Sequence, residues 1–122
     1  MSEALDLAIS AARAAAEKQG HDIVVLDVRD VFVLTDHFVI VSGSSDRQVR
    51  TIAEEVEKAI RNRGVRPVRR EGEREGRWIL LDFIDVIVHV FLDEDRRFYG
   101  LERLWADAPQ VDWEQTAAST GG

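Results

Sequence analysis

The clearest structural pattern in the sequence is the stretch FVIVSGSSDRQVRTIAEEVEKAIRNRG, residues 38–64. It begins with an apolar, mostly β-branched run, turns at a Ser-Gly-Ser-Ser sequence, and continues with apolar residues that recur every three or four positions. The first pattern is typical of a strand and the second of an amphipathic helix. Ser45 and Gln48 have the spacing of a capping box, while Gly64 ends the helix and Pro67 prevents its resumption. This stretch therefore predicts a strand that leads directly into a well-defined helix.

The elements on either side follow from apolar periodicity and turn residues. They are a helix over 2–19 with an apolar stripe at Leu5, Ala8, Ile9, Ala12 and Ala16, strands over 23–28, 66–70, 78–83 and 86–92, and a short helix within 96–106. The run at 23–28 is continuous, which is typical of a strand covered on both faces. Pro67 lacks a ladder donor, so 66–70 is expected at a sheet edge. The order strand, helix, strand indicates a βαβ-type crossover and an α/β fold.

Length and composition indicate one domain that folds in a reducing compartment. The chain has 122 residues, enough to bury a core, and it has no cysteine for a disulfide or a thiolate metal site. The N-terminus lacks the basic region of a secretory signal, and no apolar run reaches the roughly 18 residues of a membrane span. Periodicity is lost near Pro109. We therefore expect a domain over residues 1–108 and a disordered tail over 109–122.

The charge balance bears on the kind of partner. The net charge is -7, whereas a general nucleic-acid binder is expected to be basic. An acidic chain instead favours a basic partner, because complementary fields speed encounter. One basic stretch stands out, with arginines at 61, 63, 66, 69, 70, 74 and 77. Its interspersed glutamates favour a self-neutralising surface, and an RNA site is the alternative.

Two features invite a comparison with nucleotide-dependent enzymes. Gly43-Ser44 at a helix start is compatible with a phosphate site, although a glycine turn followed by an N-cap explains it fully. Metal-dependent nucleotidyl transfer needs carboxylates that converge on a metal pair. Asp82 and Asp85 are three positions apart, so in one strand they face opposite sides, and across a hairpin they diverge. We expect neither catalysis nor a cofactor here.

The three histidines, His21, His37 and His89, are far apart in the sequence, and no nucleophile motif accompanies them. His89 lies within a predicted strand, on the same face as Ile87 and Phe91. Such a residue is more often hydrogen-bonded within the core than catalytic. We therefore expect a structural role for His89.

Aromatic residues are concentrated in the C-terminal half. Between positions 78 and 105 they are Trp78, Phe83, Phe91, Phe98, Tyr99 and Trp105. Trp78 alternates with Leu80 and Asp82, so one strand face has mixed polarity. That composition suits an interface with an aromatic centre and a charged rim. The pattern by itself leaves core and interface roles equally open for Trp78 and Tyr99.

Two series of motifs run through residues 4–108. The first half carries LD at 26–27, LTDHFVI at 34–40 and SGSSDRQV at 42–49. The second half carries EG at 71–72, GRWILLD at 76–82, VHVF at 88–91 and RFYGLERLW at 97–105. In this order and spacing they resemble the ribosomal silencing factor family, also called RsfS or Iojap-like.

The resemblance implies a nucleotidyltransferase-like α/β fold, a mixed sheet flanked by helices, without the catalytic acid pair. It implies a translation repressor rather than an enzyme. Such proteins bind ribosomal protein L-fourteen on the large subunit, sterically block subunit joining, and act especially when nutrients are limiting. It also implies a cytoplasmic homodimer, with at most minor contact to ribosomal RNA.

The resemblance assigns partner contacts to Trp78, Leu80, Asp82, Tyr99 and Glu102. Asp82 and Glu102 have local alternatives in the hairpin and the helix. Phe83, Phe91 and Phe98 are expected to hold the fold, and Trp105 stays open between the two roles. Two positions depart from the family pattern: His37 stands where tyrosine is usual, and Ile84 where a small or polar turn residue is common.

Overall fold

The fold consists of four helices and five strands among residues 3–114, the part of the chain that this computed structural model describes. They are α1 (Glu3–Glu17), β1 (His21–Asp27), β2 (His37–Gly43), α2 (Asp46–Arg61), β3 (Arg69–Glu71), β4 (Trp78–Asp82), β5 (Val86–Leu92), α3 (Asp93–Tyr99) and α4 (Leu101–Leu104). The part of the predicted tail beyond residue 114 lies outside the described residues.

The strands form one mixed sheet in the order β1-β2-β5-β4-β3. The central pair, β2 and β5, is parallel, and the other three pairs are antiparallel. The chain leaves β2, crosses through α2 and enters the sheet again at β3, on the far edge. The mixed α/β sheet and the β4–β5 hairpin are therefore confirmed. The edge strand predicted over 66–70 is also at the sheet edge, but it lies at Arg69–Glu71 and excludes Pro67.

The two long helices cover one face of the sheet. Their core consists of aliphatic side chains and alanines together with Phe83, and valines of β2 and β5 are fully buried beneath the helices. The predicted stripe of α1 is too narrow, because Ala11, Ala14 and Ala15 are also buried while Ala16 is exposed. The reason is that α1 packs against both the sheet and α2, so two sides of it are covered.

The capping box at the start of α2 is confirmed. Ser45 Oγ accepts a hydrogen bond from the Gln48 backbone N–H at 3.1 Å. Gln48 Oε1 in return accepts from the N–H of Ser44, one residue before the cap. The Gln48 amide also donates to the carbonyls of Lys18 and Gln19, just beyond α1. One side chain thus caps α2 and connects it to the end of α1.

The chain stays in the domain after residue 108, contrary to the expected boundary. The Asp27 N–H donates to the Pro109 carbonyl, and the Val111 N–H donates to the Val25 carbonyl, both at 2.8 Å. These bonds occupy part of the outer edge of β1. Loss of helical or strand periodicity was an unreliable sign of disorder here, because an irregular segment is stabilised by the strand edge that it covers.

The predicted helix within 96–106 is two short helices. The first begins earlier, at Asp93, and Gly100 ends it with φ 52° and ψ 46°, a left-handed conformation. The expectation that Phe98 holds the fold is wrong, because its side chain is 80% exposed. Consecutive helical residues point in different directions, and Tyr99 is the one that turns toward the sheet.

Candidate interaction surface

The second face of the sheet is only partly covered. Over β1 and β2 it is closed by a cluster that includes Phe32, Leu101, Trp105 and Ala108. Trp105 contacts the rings of both Phe32 and Phe38, at 5.2 and 5.4 Å between centroids, so it belongs mainly to this core. Toward the β3 edge, α3 contributes Tyr99, which contacts Trp78 and Phe91, and several strand residues stay half-buried. We call this region the open face: Trp78, Leu80 and Asp82 of β4, Ile87, His89 and Phe91 of β5, and Tyr99.

Trp78 is the centre of the open face. Its indole stacks on Phe91 with centroids 4.8 Å apart and an interplanar angle of 28°, and it contacts Tyr99 at 4.8 Å. Its Nε1–H donates to Nδ1 of His89 at 3.1 Å. The side chain is half-buried, so Trp78 both packs against the sheet and presents part of its ring outward. Tyr99 lies beside it and is 49% exposed.

His89 lies beneath the tryptophan and is 5% exposed. Burial lowers the pKa of His89 to about 4, because the charged imidazolium is poorly solvated there. The ring is therefore neutral at pH 7. Since Nδ1 accepts the indole proton, the histidine proton is assigned to Nε2, which is buried and has no partner within residues 3–114. The expected structural role of His89 thus takes the form of a hydrogen bond to Trp78.

Leu80 and Asp82 continue the same strand face toward the hairpin turn, and both are half-buried. Asp82 Oδ1 accepts a hydrogen bond from the Ile84 backbone N–H at 2.8 Å, so this carboxylate stabilises the turn. Ile84 itself has φ 74° and is 57% exposed. A β-branched residue is strained in this conformation, which explains why a small or polar residue suits the position better.

Glu102 is bound to Arg96, apart from the other four predicted contact residues. Arg96 Nε donates to Glu102 Oε2 at 3.0 Å, and Arg96 Nη1 donates to Ser42 Oγ at 2.9 Å. Arg96 is 8% exposed and ties α3 to the end of β2. The structure therefore brings Trp78, Leu80, Asp82 and Tyr99 onto one surface, and it gives Glu102 a local role in positioning α4.

The hydrogen bond between Trp78 and His89 was not predicted from the sequence, although the register of the β4–β5 hairpin places the two residues close together. A three-residue turn at 83–85 pairs Trp78 with Phe91 and Leu80 with His89. His89 is thus the diagonal neighbour of Trp78 on one face, within reach of a long aromatic side chain. The bond from Arg96 to Ser42 had no such signal, since it joins residues 54 positions apart.

The arginine-rich stretch is largely self-neutralised, in agreement with the favoured interpretation. Four of its arginines form ion pairs: Arg61 and Arg70 with Glu57, Arg69 with Glu71, and Arg77 with Asp95. Most of these pairs are exposed and contribute little to stability. They nevertheless reduce the positive field that an RNA backbone would meet.

The features that suggested nucleotide chemistry have structural explanations. The N–H groups of Ser44 and Gln48 are already bound to side chains of the capping box. Among residues 3–114, no cluster of three or more His, Asp or Glu side chains has a metal-binding arrangement.

Within the same residues, no helix has the length and apolar character required to span a bilayer.

The fold and the open face together define a class: an α/β domain in which an aromatic, polar-edged part of the sheet is only partly covered, the composition typical of a protein-binding surface. Comparison with known proteins specifies the family. The family profile described as "Ribosomal silencing factor during starvation" matches residues 1–121. The chain belongs to this family of ribosomal silencing factors.

Relatives and solved structures agree with this assignment. The chain is 42% identical to ribosomal silencing factor RsfS of Bacillus subtilis over 102 residues, 84% of this chain and 86% of the relative. It is 39% identical to the Halalkalibacterium halodurans protein of the same name, covering 92% and 93%. A crystal structure of a Chromobacterium violaceum protein superposes with a TM-score of 0.83 at 34% identity, covering 86% of this chain and 88% of that one.

Proposed function

We propose that this protein silences ribosomes by binding ribosomal protein L-fourteen on the large subunit through the open face. Bound there, it sterically prevents the small subunit from joining and so represses translation, especially when nutrients are limiting. This mechanism needs affinity and a suitable position, and it needs no chemical step. The proposed contact residues are Trp78, Leu80, Asp82 and Tyr99, with Glu102 at the periphery.

The observation that carries the proposal is the half-buried Trp78, packed against Phe91 and Tyr99 on the partly covered side of the sheet. A tryptophan that is held in place before binding loses little conformational entropy when a partner covers it. Aromatic anchors of this kind contribute most of the affinity in protein interfaces. The net charge of -7 adds attraction to a basic ribosomal protein.

Co-sedimentation with purified large subunits tests the proposal. The wild type should sediment with them and should reduce the formation of complete ribosomes when small subunits are added. Trp78→Ala should weaken binding by about 2 kcal/mol or more, roughly thirtyfold. Trp113→Ala is the matched control, because Trp113 is also half-buried but packs against the helix-side core. Equal loss in both variants would point to general destabilisation and contradict the site.

Three further properties belong to the proposal. The protein acts in the cytoplasm, where ribosomes assemble; it forms a homodimer when free; and its contact with ribosomal RNA is minor. Light scattering at micromolar concentration should therefore give twice the mass of one chain. Affinity for large subunits should fall only gently with added salt, since a large phosphate contribution would produce a steep decline.

A further inference from the structure

We propose that His89 is a positioning residue that holds the Trp78 indole in its binding orientation. The inference rests on the proposed function, in which Trp78 is the central anchor of the open face. The direct observation is the hydrogen bond from Trp78 Nε1 to His89 Nδ1, 3.1 Å long and joining neighbouring strands. Among the described residues, this bond determines which way the polar edge of the indole points.

The surroundings of His89 show why a histidine there needs an explanation. The ring packs edge-on against Phe38 at 5.3 Å and parallel to Phe91, with an interplanar angle of 15°. A phenylalanine would make similar ring contacts without burying any polar atom. The imidazole instead buries an Nε2 atom that has no partner within residues 3–114, which costs stability. Acceptance of the indole proton is the interaction that offsets this cost.

Rings alone leave the orientation of Trp78 incompletely determined. Stacking on Phe91 and contact with Tyr99 restrict the plane of the indole, but neither ring contact involves its polar Nε1 edge as a hydrogen-bond donor. A neutral acceptor fixed in the adjacent strand holds that edge in place. Burial keeps the pKa of His89 far below 7, so the acceptor remains available under physiological conditions. The open face is thereby preorganised for its partner.

The test separates positioning from stability. His89→Phe retains a ring but lacks the acceptor, so it should unfold at the same or a higher denaturant concentration than the wild type. It should nevertheless bind large subunits about three- to tenfold more weakly, the effect of one lost hydrogen bond. His89→Asn should restore much of the affinity, because its Oδ1 occupies nearly the position of the imidazole Nδ1. His89→Leu also lacks an acceptor and replaces His89→Phe if that variant does not fold.

A double-mutant cycle with Trp78→Phe shows whether His89 acts through the tryptophan. Phenylalanine at position 78 has no N–H, so adding His89→Phe to this background should not weaken binding further. Additive losses would overturn the inference. A ¹⁵N-tryptophan spectrum supplies an independent readout: the indole N–H signal of Trp78 should be protected from exchange in the wild type and in His89→Asn, and should lose protection in His89→Phe.

The outcomes distinguish this inference from the proposed function. If the wild type binds large subunits and His89→Phe binds equally well, the positioning role is contradicted while the silencing proposal stands. An unprotected indole N–H in the wild type likewise contradicts the positioning role alone. If the wild type fails to bind large subunits, the proposed function fails and the positioning role fails with it.

Discussion

The two faces of the sheet differ in the composition and the burial of their side chains. The helix-side face is aliphatic, and Val39, Val41, Val88 and Val90 are all fully buried under α1 and α2. The open face is aromatic and polar, and several of its residues are half-buried. Adjacent residues of β4 alternate between the two. Leu81 is 1% exposed on the helix side, whereas its neighbour Leu80 is half-buried on the open side.

This difference indicates that stability and binding are largely separated within one strand. Burial of apolar area on the helix side supplies most of the free energy of folding. The open face retains features that a core optimised for stability would lack. It has a buried histidine whose Nε2 has no partner among residues 3–114, and at its end a strained Ile84. Substitutions on the helix-side face should therefore change mainly the free energy of unfolding, and substitutions on the open face should change mainly the affinity for large subunits.

Leu81→Ala should have the largest effect, and it should appear in stability. Removing a fully buried leucine side chain leaves a cavity against α2, and the free energy of unfolding should fall by about 3–4 kcal/mol. Urea denaturation measures it. The affinity of the remaining folded protein for large subunits should be nearly unchanged. If Leu81→Ala binds large subunits much more weakly under conditions in which all of the protein is folded, the two faces are energetically coupled.

Acidification should reduce stability through His89. Its pKa is about 4 in the folded protein and about 6.5 when unfolded, so below pH 6.5 the unfolded state binds a proton that the folded state does not. The contribution is fully present near pH 7 and above, and between pH 7 and 4 about 3 kcal/mol of unfolding free energy should be lost. Denaturation at a series of pH values measures the loss.

His89→Phe is the control for that pH profile. It should flatten the profile between pH 6.5 and 4, apart from the smaller contributions of other groups. His37 contributes in the same direction, because burial also lowers its pKa. An unchanged slope in His89→Phe would mean that His89 is not buried in neutral form.

Leu80→Ala should affect binding more than folding, the reverse of Leu81→Ala. Its half-buried side chain contributes about a third as much to stability, about 1 kcal/mol. Loss of its contact with a partner should weaken large-subunit binding about tenfold. Parallel sedimentation and denaturation of the two leucine variants give a direct comparison. If both lose stability equally and affinity equally, the two faces do not have separate roles.

Ile84→Asn should have the smallest effect, with the opposite sign. Asparagine tolerates φ 74° better than isoleucine, so the free energy of unfolding should rise by about 1 kcal/mol. Thermal denaturation measures the gain. Large-subunit binding shows whether the exposed Ile84 side chain also contacts the partner. A decrease in stability would contradict the backbone strain at Ile84.

Elements whose stabilising contacts are local or periodic could be predicted from the amino-acid pattern. The cap at Ser45, the repeat that begins at Val49 and the stop at Gly64 together predicted α2, and short turn residues predicted the β4–β5 hairpin. Alternation along β4 also predicted that Trp78, Leu80 and Asp82 share a face. These features depend on residues that are close in the sequence, so they could be predicted without the tertiary structure.

Tertiary structure alone decided which aromatic residues are covered. Phe98 and Tyr99 are adjacent and chemically similar, and the packing of α3 against β5 leaves the first exposed and brings the second to Trp78. The irregular segment from Pro109 was retained in the domain by the free edge of β1. Both outcomes depend on contacts between residues distant in sequence, whose free energy is not encoded in any local pattern.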